Sequence, residues 1–265
     1  MIRVRGLRKA YGELVAVDGI DLDVAAGEIF ALLGPNGAGK TTTVEILEGY
    51  RARSAGEVNV LGVDPEHANA SWRARVGIVL QEGGRFDELT VGELVAHFAG
   101  FYPRPLPVDD VLALVGLVDQ HDVRTGRLSG GQRRRLDVAL GLVGDPELVF
   151  LDEPTTGFDP ASRRAAWRVV NDLRGLGKTV LLTTHYLDEA EHLADRVGVM
   201  ARGRLVEVGT PAALGGRATS EATVRFRADG RWPAPDCPRC RRSTCSAPPA
   251  PSPCAPTRPP RWWAP

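Results

Sequence analysis

The sequence predicts an α/β fold with a largely parallel sheet, and three observations carry that prediction. Short apolar runs of the kind that make buried strands recur along the chain: "EIFALLG" at 28–34, "RVGIVLQ" at 75–81, "ELVFLDEP" at 147–154 and "TVLLTTH" at 179–185. Segments with helical spacing separate them, and strands alternating with helices favour a parallel sheet. The first apolar run enters a glycine-rich loop, "GPNGAGK", and leaves it through a segment of helical spacing, "KTTTVEILEGY".

Taken in order, "IRVRGL" and "LVAVDGIDLDV" read as strands with alternating apolar positions before the first buried strand. Residues 88–145 are mostly helical in pattern, interrupted by "YPRPLP", and read as a helical lobe inserted at about 82–145. "SRRAAWRVVNDLRGLG" is an amphipathic helix stopped by glycine, and "RVGVMARGRLVEVG" supplies later strands. Residues 1–220 are expected to form one domain and residues 221–265 a truncated or aberrant C-terminal extension, mostly disordered.

Composition narrows the function classes. Among 265 residues, lysine plus arginine equals aspartate plus glutamate at 33 each, so there is no electrostatic case for a nucleic-acid partner. No apolar run is long enough to span a bilayer and no secretory signal is visible at the N-terminus, which points to the cytoplasm. Only three lysines occur, Lys9, Lys40 and Lys178, and one of them sits in the glycine-rich loop, where a compact ammonium is a ready phosphate ligand.

Gly34, Gly39, Lys40 and Thr41 fit G-x-x-x-x-G-K-[ST]. Glycines let backbone N–H groups turn inward around phosphates, and the helix that follows presents its positive end to them. Lys40 would reach the β and γ phosphates, and Thr41 would ligate Mg²⁺. "LVFLDEP" places Asp152 and Glu153 at the carboxyl end of a strand, where ligands of open α/β sheets bind. Asp152 would hold Mg²⁺, directly or through water, leaving Glu153 to polarise the attacking water as a general base.

"GPNGAGKTT", Gln81, "LSGGQ", "LVFLDEP", "GFD" and "TTH" stand in the order, and close to the spacing, of ABC-type ATPase domains. Over about residues 1–215 the sequence resembles the nucleotide-binding subunit of an ABC transporter, with "LSGGQ" the most specific element. The resemblance implies a phosphate-loop NTPase with a RecA-like core, an N-terminal antiparallel β region and an inserted helical lobe, binding and hydrolysing ATP with Mg²⁺. It implies ATP contacts from Gly34, Pro35, Asn36, Gly37, Ala38, Gly39, Lys40, Thr41 and Thr42, and a signature formed by Leu128, Ser129, Gly130, Gly131 and Gln132. In this family two domains dimerise head to tail, and each signature caps the γ phosphate held by the other's phosphate loop. A glycine turn ending in an ordinary helix cap at Ser129 is the plainer reading of the same residues.

The same resemblance assigns Gln81 to Mg²⁺, γ phosphate and the membrane subunit. It assigns His185 to the γ phosphate, Asp159 to the dimer contact and Tyr11 to stacking on adenine. Phe158 departs from the family's usual leucine in "GFD" without changing the acid. Arg133, Arg134 and Arg135, after the signature, are expected on a solvated helix face.

"TTHYLDEAEHLADRVGVM" and "PTTGFDP" resemble the drug-resistance, or daunorubicin-type, branch of exporter ATPases. That implies a separate ABC-2-type membrane permease as partner, homodimerisation of the ATPase subunits on ATP binding, and a peripheral place on the inner face of the cell membrane. The exported substrate would be a drug, antibiotic or lipid-like compound. "EGGRFDELT" at 82–90 is where the permease is expected to dock. A non-transport ABC ATPase is the alternative. The chain has one ATPase domain where translation-type factors carry two, and it lacks the heptads of chromosome and repair ATPases. It also lacks the N-K-x-D motif of a GTPase.

All four cysteines lie in the last 35 residues, beside eleven prolines after Arg231. One C-x-x-C unit, "CPRC", falls short of the paired units of a zinc site. The composition is what GC-rich DNA yields out of frame, and this segment is expected to be disordered.

Overall fold

A computed structural model describes residues 1–79 and 86–216. They belong to a compact unit, Met1–Ser220. The expectations for Gln81 and for the cysteine-rich tail lie outside the described residues.

Two sheets organise the unit. The first is antiparallel, in the order β2-β1-β4, from β1 (Ile2–Tyr11), β2 (Leu14–Val24) and β4 (Ala55–Val60). The second has the order β5-β6-β7-β3-β8-β9. It comprises β3 (Ile29–Leu33), β5 (Val76–Val79), β6 (Leu148–Asp152), β7 (Thr179–Thr184), β8 (Arg196–Ala201) and β9 (Arg204–Gly209). All its neighbours run parallel except β9, which turns back on β8.

The helices are α1 (Lys40–Leu47), α2 (Ala70–Arg73), α3 (Val91–Ala99), α4 (Val108–Val115), α5 (Gly130–Leu142), α6 (Pro160–Gly175) and α7 (Leu187–Leu193). Strands β3, β6 and β7 are buried along almost their whole length, which is why they read as unbroken apolar runs and not as alternation. Their inner faces feed a core in which Ile29, Ala31, Val149, Leu151, Val180 and Leu182 pack with the apolar faces of α3, α4, α5 and α6. On the opposite face Phe30, Leu32, Phe150 and Leu181 pack with β1, β2 and α1.

Register places the site. Leu33 pairs with Thr184, and Asp152 pairs with Thr183, so β3, β6 and β7 end level with one another. The glycine loop, the Asp152–Glu153 pair and His185 therefore leave the sheet at one edge, the carboxyl edge where α/β sheets bind ligands.

Candidate nucleotide site

Loop 34–39 joins β3 to α1, and Gly39 is the N-cap of α1 at φ 100°. A side chain at Gly39 would meet the Ala16 carbonyl at 2.4 Å, and one at Gly34 would meet the Met200 carbonyl at 2.4 Å. At Gly39 only glycine satisfies both the positive φ and the close backbone approach. Within this loop the buried Lys40 turns back, its Nζ donating to the carbonyls of Gly34 (2.8 Å) and Pro35 (3.3 Å). It also stands 3.6 Å from Glu153 Oε1.

A cleft of about 660 Å³ opens over the loop. It is lined by Asn36, Gly37, Gly39, Lys40, Thr41 and Thr42, by Glu153 from the end of β6, and by Tyr11 from the end of β1. The Tyr11 ring is exposed and flanked by cations, with Lys9 Nζ at 5.1 Å and the Arg51 guanidinium at 5.5 Å from its centroid. An aromatic face at one end and a cationic phosphate loop at the other suit a nucleotide. Pro35 is exposed beside Asn36 and Gly37, and Ala38 is buried among the residues under the loop.

Glu153 is held from several sides. It adopts φ 44°, in the left-handed region, which costs a non-glycine residue energy. Its N–H donates to Thr183 Oγ1 (3.0 Å), and the Thr183 hydroxyl in turn donates to Asp152 Oδ1. The Thr156 hydroxyl donates to Glu153 Oε2 at 3.0 Å. His185, directly after β7, brings Nδ1 to 3.3 Å from Glu153 Oε1, off the line of a hydrogen bond, so that this buried nitrogen has no hydrogen-bond partner. Its ring rests on Tyr186, centroids 4.0 Å apart. Burial pushes the Glu153 carboxyl up. The Thr156 hydroxyl, His185 and Lys40 more than offset this and hold it below the usual glutamate value.

The signature lies elsewhere. Leu128 is buried in the helical core, while Ser129 and Gly130 are exposed at the start of α5. Ser129 and Gln132 close a capping box: Ser129 Oγ accepts from the Gln132 N–H (3.3 Å), and Gln132 Oε1 accepts from the Ser129 N–H (2.9 Å). The helix thus begins at Gly130, directly after its cap at Ser129. None of residues 128–132 lines the cleft that holds the phosphate loop. Asp159 caps the turn into α6, accepting from the Ser162 N–H (3.1 Å) and hydroxyl.

The arginine run after the signature corrects an expectation. Arg134 is buried, not solvated, and donates to the backbone carbonyls of Asp152 (2.9 Å) and Pro154 (3.3 Å). It ties the signature helix to the strand end that carries Asp152 and Glu153. Arg135 donates to the Gly116 carbonyl (2.6 Å) at the end of α4. A run of three arginines looks solvated in sequence because helix phase within three residues is invisible until the packing is known. Sequence reading also missed Thr183 and Thr156, since threonine in a strand reads only as a β-former. It missed the cleft residues Ala16, Arg202 and Gly203 as well, which carry no motif.

The donors suit Mg²⁺. Thr41 offers a hydroxyl and Asp152 a carboxylate, and hard oxygen donors of this number match a cation that keeps phosphate and water ligands. Among the described residues no group of three or more histidine, cysteine or acidic side chains forms a metal cage.

This arrangement defines a phosphate-loop ATPase. The ABC transporter family model matches residues 17–156, and the chain belongs to that family. It is 42% identical over 214 residues to the Nod factor export ATP-binding protein I of Paraburkholderia xenovorans, covering 78% of this chain and 70% of that one. It is 43% identical over 216 residues to a daunorubicin resistance ATP-binding protein of Streptomyces coeruleorubidus, covering 79% and 68%. Among solved structures it resembles cbiO1 of Clostridium perfringens, part of an ABC transporter complex, with TM-score 0.74 and 28% identity over 82% of this chain and 92% of that one. It shares its fold with a dimeric ATP-binding cassette bound to ADP and Pi, with TM-score 0.71 and 22% identity over 80% and 99%. The chain is an ATP-binding subunit of an ABC transporter, with an ATPase domain that hydrolyses ATP. Among the described residues no helix is long and apolar enough to cross a membrane.

Proposed function

We propose that this chain energises an exporter, hydrolysing ATP as a homodimer on the inner face of the cell membrane and driving a separate ABC-2-type permease. Support for export comes from the relatives named for Nod factor export and daunorubicin resistance. A drug, antibiotic or lipid-like compound is the substrate class in keeping with them.

In this reading Tyr11 stacks on adenine and residues 34–42 wrap the phosphates. Lys40 leaves the Gly34 and Pro35 carbonyls for the β and γ phosphates. Thr41, Asp152 and Gln81 hold Mg²⁺, which supplies neutralising charge to the phosphate oxygens when bound. Glu153 accepts a proton from the attacking water, and His185 contacts the γ phosphate. Ser129, Gly130, Gly131 and the start of α5 form an anion site for the partner's nucleotide, and Asp159 contacts the partner.

The observation that carries the reading is that the loop and Glu153 share one cleft that none of residues 128–132 lines. Phosphate release by the purified chain tests it. Glu153→Gln is expected to bind ATP and lose turnover by about 10²- to 10⁴-fold. Turnover retained in that variant removes Glu153 as the base.

A further inference from the structure

The plane and tautomer of a histidine ring are commonly set by a hydrogen bond on one of its nitrogens. His185 lacks one at Nδ1, which is buried and has no hydrogen-bond partner among the described residues. Its ring must be held by other means, or it would exchange between rotamers.

The neighbouring side chains supply those means as a layered stack. The His185 ring lies against the Tyr186 ring, centroids 4.0 Å apart and planes tilted by 41°. The Arg163 guanidinium, from α6, also packs over the Tyr186 ring, 4.5 Å from its centroid. Arg163 is held in turn from α7, its Nη1 donating to Asp188 Oδ2 at 3.2 Å. The backbone of the tyrosine is fixed as well. Its N–H donates to Thr184 Oγ1 at 3.0 Å, and Tyr186 is the N-cap of α7. Stacked rings and a guanidinium over an aromatic face are both favourable contacts, and each of them here is made by the tyrosine ring.

We propose that Tyr186 is a positioning residue for His185, clamped by Arg163, and that its ring sets the plane in which His185 meets the γ phosphate. This rests on the reading that His185 contacts that phosphate. Neither Tyr186 nor Arg163 lines the nucleotide cleft, so both act on turnover and not on ATP affinity. A displacement of about an ångström at a reacting group can cost about a hundredfold in rate, so a loosened ring is felt in kcat.

Phosphate release by the full chain, followed across ATP concentrations, tests this. Tyr186→Leu is expected to lower kcat by about ten- to a hundredfold while KM for ATP stays near the native value. Tyr186→Phe keeps the ring and is expected to retain most of the turnover. Arg163→Met leaves every ring in place, so it tests the clamp even if Tyr186→Leu folds poorly. It is expected to lower kcat by about two- to fivefold. In a His185→Ala background neither Tyr186→Leu nor Arg163→Met is expected to lower turnover further. Tyr186→Leu and Arg163→Met at native turnover, with His185→Ala impaired, overturn this inference alone. Losses that recur undiminished in the His185→Ala background, or a Tyr186→Phe as impaired as Tyr186→Leu, overturn it too. Native turnover in His185→Ala removes His185 from the reaction and overturns the reading of His185 and the inference together.

Discussion

Lys40 Nζ lies 3.6 Å from Glu153 Oε1, both side chains being largely buried. The proposed phosphate-binding cation and the proposed base thus form an ion pair. A phosphate entering the loop competes with Glu153 for the ammonium, so nucleotide binding changes the charge environment of the base.

Removal of that ammonium weakens nucleotide binding directly. Lys40→Ala is expected to lose about a hundredfold in ATP affinity, since charge-assisted hydrogen bonds to phosphate are worth about 1.5–3 kcal/mol each. Isothermal titration with ATP and Mg²⁺ checks it. Affinity within a few fold of the native chain would contradict the placement of Lys40 at the phosphates.

Thr156 helps to hold the Glu153 carboxyl low. Its hydroxyl is the leading influence holding the Glu153 carboxyl low against burial. Thr156→Val removes that hydrogen bond, so the Glu153 value rises. A general base works only when ionised, so the acid limb of the kcat profile is expected to move to higher pH. A limb that stays in place or moves lower would separate Thr156 from the titrating group.

Thr183 holds two site residues at once, accepting from the Glu153 N–H and donating to Asp152. Thr183→Val keeps the shape of the strand and leaves that N–H without its acceptor. Denaturant unfolding is expected to show a loss of about 1–3 kcal/mol. Turnover is expected to fall with it, because the left-handed turn at Glu153 is secured by the same bond. An unchanged midpoint and unchanged turnover would mean that the turn holds itself.

Glu48 lowers the stability of the domain. Its folded value is about 8 against an ordinary 4.5, so the folded state prefers the protonated acid. Between those values the unfolded chain binds fewer protons than the folded one, and stability falls as pH rises through the window. Glu48→Gln is expected to raise stability by at least about 2 kcal/mol at the upper end of that window and by almost nothing at about pH 4. Thermal unfolding across pH checks this. A gain that does not grow with pH would mean that Glu48 is not the buried acid responsible.

Much of the core of the fold could be read from residue order alone, for a physical reason. Strands β3, β6 and β7 are buried on both faces and leave unbroken apolar runs, and the loop after β3 requires glycine at positions where a side chain would strike Ala16 or Met200. The short strand β4, "AGEVNV", and the four-residue α2 escaped because pairing and contact with β1 and β5 stabilise them more than any local pattern does. In the site, Lys40 and Glu153 announced themselves by motif. The Thr183 bridge and the Arg134 tie to the Asp152 carbonyl did not, because they depend on which strands lie side by side. Glu48 looked like an ordinary polar residue at a helix end, and only its burial makes it unusual.

The central proposal is that the signature serves a neighbour's nucleotide. Size-exclusion chromatography with light scattering on Glu153→Gln, with and without ATP, tests it most directly. The expected result is monomer without ATP and dimer with it, and no shift when Ser129→Arg is added, because the new side chain would fill the exposed start of α5. A Glu153→Gln, Ser129→Arg protein that still dimerises with ATP, or a Glu153→Gln protein that binds ATP and stays monomeric, would contradict it.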